Sequence, residues 1–205
     1  SLVSLYAVTR DMGADYFSGD FIHTCAGKVT AADSLWRGAP WGIANSAADF
    51  RSIEATSGDC LFATFGTYGV NFFALREVVA GTAYSDTYAP TALDTFYYFT
   101  IERDEDVGTY GTLTCKIYSD EARTTLLDTL SLALHEKEDF RYIHAANSWY
   151  IPGKSDTYSA VLKDLDIGLG DAVGAVNLPA LEAEGAGSNE ENIADDTAAG
   201  TPSLP

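Results

Sequence analysis

Phe96-Tyr-Tyr-Phe-Thr-Ile-Glu102 is the stretch whose reading decides the fold. Tyr97, Phe99 and Ile101 fall on one side of it and Tyr98, Thr100 and Glu102 on the other, a period of two that marks a half-buried strand. After an acidic, Gly-containing connection the pattern returns in Thr112-Leu-Thr-Cys-Lys-Ile-Tyr118, where Leu113, Cys115 and Ile117 alternate with Thr112, Thr114, Lys116 and Tyr118. Two such runs in succession make an antiparallel pair with one wet face. The apolar parity should be buried and the other distinctly more exposed, because a slip of one residue would turn every side chain over.

Working outward, strand patterns recur at 20–30, 36–45, 60–67 and 70–79 before this pair, and at 126–134, 140–147 and 158–167 after it. Gly, Asn, Asp and Ser punctuate them, and the short 47–53 segment reads as one helical turn. At least nine strands without a persuasive helix between them predict an all-β fold, an antiparallel two-sheet jelly-roll sandwich. From Gly168 onward the composition changes. There is no aromatic residue, Lys or Arg, but seven carboxylates among Gly, Ala and Pro. The expected organisation is therefore a sandwich over 1–167 and an extended C-terminal arm over 168–205. So little apolar surface does not offset the entropy of ordering, so the arm needs a surface to lie on. Leu178, Leu181, Ile193 and Leu204 are spaced as separate anchors, for an arm lying across another subunit or folded back over its own sandwich.

The formal charge of -18, with 12 basic residues, excludes a phosphate-binding surface and predicts no nucleic-acid partner. No apolar run reaches the roughly 20 residues that span a bilayer, so membrane insertion is not expected. Cys25, Cys60 and Cys115, an odd count without CxxC spacing, read as small buried hydrophobes, with one disulfide and a spare thiol as the alternative. His23, His135 and His144 show no metal-ligand spacing.

Tyr97 to Asp104, Leu113 to Asp120 and Ala122 to Leu130, with Asp139 to Tyr142 and Leu162 to Ile167 further on, resemble the concanavalin A-like, laminin-G-like sandwiches of phage and environmental bacterial proteins. The resemblance implies a concanavalin A-like sandwich over roughly 20–167. It implies no single activity, since this fold hosts lectins, glycan hydrolases, adhesion modules and virion proteins.

Glu102-x-Asp104-x-Asp106 would set three carboxylates on one face if the strand continued, but the family's E-x-D-x-x-E pattern is absent. No catalytic residues are therefore expected, and the chain is read as no enzyme. Asp104 and Asp106, with Glu105, before Gly108 are candidate Ca²⁺ ligands, since Ca²⁺ takes closely spaced carboxylate and carbonyl oxygens; Asp86 and Asp120 are candidates to join them. Trp41, Trp149 and Tyr150, together with Trp36, are candidate platforms for sugar rings, whose C–H faces stack on π surfaces. The reading favoured by the arm is a structural module of a virion or extracellular surface, of phage capsid or decoration type. Its partners would be other copies of itself or other virion and surface proteins. The competing reading is a lectin-like carbohydrate-binding module with glycans as ligands.

Overall fold

The computed structural model describes residues 6–32, 36–150, 158–168 and 181–182, with the side chains of residues 6, 7, 36, 150, 181 and 182 left out. The decisive run forms β7 (Tyr97–Asp104) and its sequel β8 (Thr112–Tyr118), paired antiparallel with Phe99 opposite Ile117 and Ile101 opposite Cys115. Their burial alternates strictly: Tyr97, Phe99, Ile101, Leu113, Cys115 and Ile117 are buried, and Tyr98, Thr100, Thr112, Thr114 and Lys116 are half-exposed. The expected register is the observed one.

Around this pair the described residues form two six-stranded sheets. The first contains β1 (Tyr6–Asp11), β10 (Tyr142–Tyr150), β3 (Trp36–Ala44), β4 (Cys60–Tyr68), β5 (Val70–Val79) and β6 (Thr82–Tyr88), in that spatial order. The second contains β12 (Leu181–Glu182), β11 (Tyr158–Asp166), β2 (Phe21–Ala32), β7, β8 and β9 (Leu126–Ala133). Every pairing is antiparallel. This is a two-sheet sandwich, with α1 (Phe50–Ala55) the single helix among the described residues. None is long and apolar enough to cross a membrane.

Two strands escape the sequence pattern. β6 reads Thr-Ala-Tyr-Ser-Asp-Thr-Tyr, and β1 carries Arg10 and Asp11; both lie at sheet edges, where one side has no neighbour to demand apolar residues. The two-residue β12 pairs Leu181 with Leu162 and Glu182 with Val161. At that point two residues of the C-terminal segment pair with its own sandwich. Leu178, Ile193 and Leu204 lie outside the described residues.

The main core fills the space between the sheets. Phe73 of β5 stacks on Phe99 of β7 at 4.1 Å between ring centroids, tying one sheet to the other. Cys25, Cys60 and Cys115 are free and buried, as small hydrophobes; desolvation pushes the Cys25 thiol up to about 12. A second apolar cluster lies on the opposite side of the first sheet, where Phe50 and Ile53 of α1 cover Ala44, Cys60, Phe62 and Val78. Asp49 starts this helix by accepting from Ser52 N–H at 3.0 Å. Gly42 permits the docking, since a Cβ there would lie 2.3 Å from Phe50 Cζ. β4 is thus buried on both faces, which is why Cys60-Leu-Phe-Ala-Thr-Phe65 reads as a continuous run rather than an alternating one.

Candidate functional site

The outer face of the first sheet is built by register. Trp149 on β10 stands opposite Arg37 on β3, Arg37 opposite Gly66 on β4, and Gly66 opposite Phe72 on β5. Gly66 has no side chain to lift the ring: a Cβ there would sit 2.6 Å from Phe72 Cζ. Arg37 in turn lies over Phe72, its Cζ 4.9 Å from the ring centroid. Beyond this row, on the same parity of β4, Tyr68 stands at the hairpin tip, 76 % exposed. It is diagonal to Phe72, within reach of one sugar residue.

A parallel row runs through His144, Gly42, Phe62, Arg76 and Ser85. Arg76 lies over Phe62 at 5.5 Å. Between the rows, Asn147, Ala39, Thr64 and Ala74 form a floor of small side chains. The His144 ring bonds Ser46 O through Nε2 at 3.0 Å, so that nitrogen carries the proton and Nδ1 accepts from Asn147 Nδ2 at 3.3 Å. Burial holds His144 neutral, its pKa down at about 4. Asn147 is 2 % exposed, and its Oδ1 has no hydrogen-bond partner among the described residues. Neither Arg37 nor Arg76 has a carboxylate partner among them. Burial first, then repulsion from Arg76, lowers the Arg37 pKa, with Glu54 of α1 opposing.

A second concentration of charge lies at one end of the sandwich, around a crevice lined by Asp59, Glu77, Arg103, Leu134, Glu136, Glu138 and Phe140 among others. Glu77 and Arg103 continue the inward parities of Phe73, Leu75 and of Phe99, Ile101, so both charges are buried. A buried carboxylate needs donors, and Glu77 receives two from His135, the backbone N–H at 2.8 Å and ring Nδ1 at 2.7 Å. The imidazole stacks on Tyr84 at 3.5 Å and its side chain is 46 % exposed. Arg103 lies 2.5 Å from Glu105, which also meets Lys137. Desolvation, then the Asp59 and Glu136 charges, raise the Glu138 pKa.

Beside this crevice the acidic turn after β7 meets a second loop. Carboxylate oxygens of Asp20, Asp104 and Asp106 lie within 4.8 Å of one another on the surface, close enough to share one divalent ion. The expected alignment with Glu102 fails because β7 ends at Asp104, and Glu102 pairs with Lys116 at 3.8 Å instead. Asp86 and Asp120 are elsewhere. Asp86 accepts from Ser131 N, while Asp120 caps its own turn through Thr124 and Thr125, bonds that bring its pKa down to about 2.

Of the expected sugar platforms, Trp41 is fully buried between the sheets and spends its N–H on His23 Nδ1 at 3.0 Å, so no ring face is open to a ligand. Trp149 lies in β10 rather than in a loop and packs against Phe50 and Phe62. The side chains of Trp36 and Tyr150 lie outside the described residues. Sequence reasoning passed over Arg37, Arg76, Asn147, Glu77 and His135. The usable signal was charge interrupting apolar runs, as in Val70-Asn-Phe-Phe-Ala-Leu-Arg-Glu-Val-Val79.

No protein-family model and no curated protein matches the chain. Among solved structures it is similar to an alginate lyase, at 12 % identity and a TM-score of 0.49 over 80 % of this chain and 75 % of that one. It is also similar to tailspike protein 2 of bacteriophage CBA120, both as its enzymatically active domain and at full length. Each shows 10 % identity and a TM-score of 0.41 over 80 % of this chain. The chain spans about a quarter of those tailspike chains, 25 % and 22 % respectively. The similar structures are thus a lyase and a tailspike whose enzymatically active domain is one of them, and the expectation of a chain that is no enzyme is withdrawn. Its ground was the missing E-x-D-x-x-E pattern, which bears on one mechanism only. Likenesses at this identity and TM-score assign no activity in its place.

Proposed function

We propose that the chain is a carbohydrate-binding, lectin-like module on a concanavalin A-like sandwich, part of a secreted or surface protein, and that the sugar lies on the outer face of the first sheet. The observation that carries this is the row from Trp149 through Arg37 and Gly66 to Phe72, continued by the exposed ring of Tyr68. The exposed Tyr68 ring offers π surface for a sugar's C–H face, and the Arg37 guanidinium beside it offers donors for its hydroxyls. The sandwich of 1–167 is the binding body in this reading, with 168–205 as an appendage. The Asp20–Asp104–Asp106 group, at the sandwich end, is its Ca²⁺ site, a structural support to the turn after β7.

A glycan array probed with the purified protein tests the reading. Tyr68→Ala and Phe72→Ala should abolish retention of the bound glycans while the far-ultraviolet circular dichroism spectrum stays unchanged. Retention that survives both substitutions would move the site elsewhere. Added Ca²⁺ should raise Tm, by mass action on the folded state, and Asp104→Asn should remove that rise. A rise untouched by Asp104→Asn would sink the metal assignment alone.

A further inference from the structure

We propose that the glycan taken by this face is an anionic polysaccharide, with Arg37 and Arg76 receiving a carboxylate or sulfate group and Asn147 Oδ1 accepting a sugar hydroxyl. The inference deepens the carbohydrate-binding reading and rests on it.

The argument begins with scarcity. Thirty acidic residues compete for 12 cations, and Lys28, Lys116, Lys137, Lys163, Arg103 and Arg141 are each in an ion pair. Arg10, Arg37, Arg76 and Arg123 are in no ion pair among the described residues, and of these Arg37 and Arg76 stand on one sheet face and lie over rings. Each guanidinium carbon lies over a ring, 4.9 and 5.5 Å from the centroid. Neither has a hydrogen-bond or carboxylate partner among the described residues, so its N–H groups are left for an anion, and a guanidinium takes carboxylate or sulfate two bonds at a time. Burial and mutual repulsion both act against the Arg37 charge. An anion brought to Arg37 offsets both.

Asn147 supplies the second and independent observation. It is buried, its Nδ2 is committed to His144 Nδ1, and its Oδ1 has no partner among the described residues. Buried acceptors are almost always satisfied, and a hydroxyl is the donor that a sugar brings. Tyr68 and Phe72 on the same face argue for an anion carried on a sugar ring rather than a free ion.

Isothermal titration of the full chain with four probes tests this: oligogalacturonate, its methyl ester, dextran sulfate and dextran. One acidic probe should bind about tenfold or more tightly than its neutral counterpart, and which of the two does so separates carboxylate from sulfate. Arg37→Gln and Arg76→Gln should each reduce that affinity to the neutral level, and Lys116→Gln on the opposite sheet should leave it unchanged. Arg37→Lys, which keeps charge and loses the fork, should restore only part of the loss. Equal affinity for acidic and neutral probes overturns the anion inference and leaves the carbohydrate reading standing. So does acidic-probe binding that ignores both arginine substitutions. Binding to none of the four overturns both.

Discussion

The outer faces of the two sheets use the same materials in opposite ways. On the second sheet Lys28 and Lys163 lie over Phe96, and Lys163 also over Tyr98. Each of these cations has a carboxylate: Asp94 for Lys28, Glu121 and Asp164 for Lys163, and Glu102 for the neighbouring Lys116. On the first sheet Arg37 and Arg76 lie over Phe72 and Phe62 with no such partner among the described residues. Among the described residues, the ring-facing cations of the second face are paired, while the first face has donors and an acceptor left over. Exposed ion pairs contribute about 0–1 kcal/mol each, so the neutralised face gains little stability from its pairs. In the proposed reading, the difference marks where a ligand's groups have something to meet.

The comparison requires both faces to stand on one rigid core, and the largest expected effect tests that requirement. Phe99→Ala should cost about 3–5 kcal/mol, because Phe99 is fully buried and stacked on Phe73 across the sheets. Denaturant unfolding should show it as a shifted midpoint with unchanged slope. A loss below about 1 kcal/mol would mean that the two sheets are not joined where the stacking joins them.

Acid should come next, and it reaches one face more directly than the other. His23 and His144 are both held neutral by burial, with pKa values down at about 4, and for His23 only the more distant charge of Asp166 opposes this. In the unfolded chain a histidine titrates near 6.5. Above that value both states are neutral and the full stability is present. As pH falls from about 6.5 to 4 the unfolded state takes up protons first, so stability is lost, by about 3 kcal/mol per histidine as an upper bound. Below 4 the loss levels off. His144 underlies the first face through Asn147, so binding there should weaken in the same window in which denaturant midpoints fall. Midpoints flat between pH 7 and 4 would contradict the buried neutral histidines.

How legible was all this in the chain? Wherever a strand has one wet face, period two told the truth: β7 and β8 alternate as their residues demand. It was silent for β6, a polar edge strand, and for β4, buried twice over because α1 covers its far side. The site was less legible for a related reason. A register row such as Trp149, Arg37, Gly66 and Phe72 gathers residues from four strands, more than 110 positions apart at the extremes, and no local spacing records it. Trp41 misled because an indole reads alike at a loop rim and in a core, and only its bond to His23 decides. Asp20 joined Asp104 and Asp106 from a loop more than 80 residues away, and that distance hid it. Glu77 and Arg103 were the missed opportunity. Each continues an apolar parity into a charge, and a strand that places a charge on its buried side announces a partner or a function.

The smallest expected effect is the sharpest test of the contrast, because the two faces should respond with opposite sign. Lys163 is held by two carboxylates and two rings, so Lys163→Met removes contacts that are satisfied and should destabilise by up to about 1 kcal/mol. Arg37 is half-buried, is repelled by Arg76 and has no carboxylate among the described residues. Arg37→Met keeps an apolar side chain over Phe72 and removes the unpaired charge, so it should be neutral or stabilising by about 0.5 kcal/mol or more, as when a binding residue is exchanged for one the fold prefers. Thermal melts of the two variants side by side, in low salt and again in high salt, measure the difference. High salt should shrink the Arg37 gain, since part of it is relief of repulsion. If Arg37→Met instead loses as much stability as Lys163→Met, the guanidinium belongs to the scaffold, and the unpaired arginines of the first face no longer distinguish it from the second.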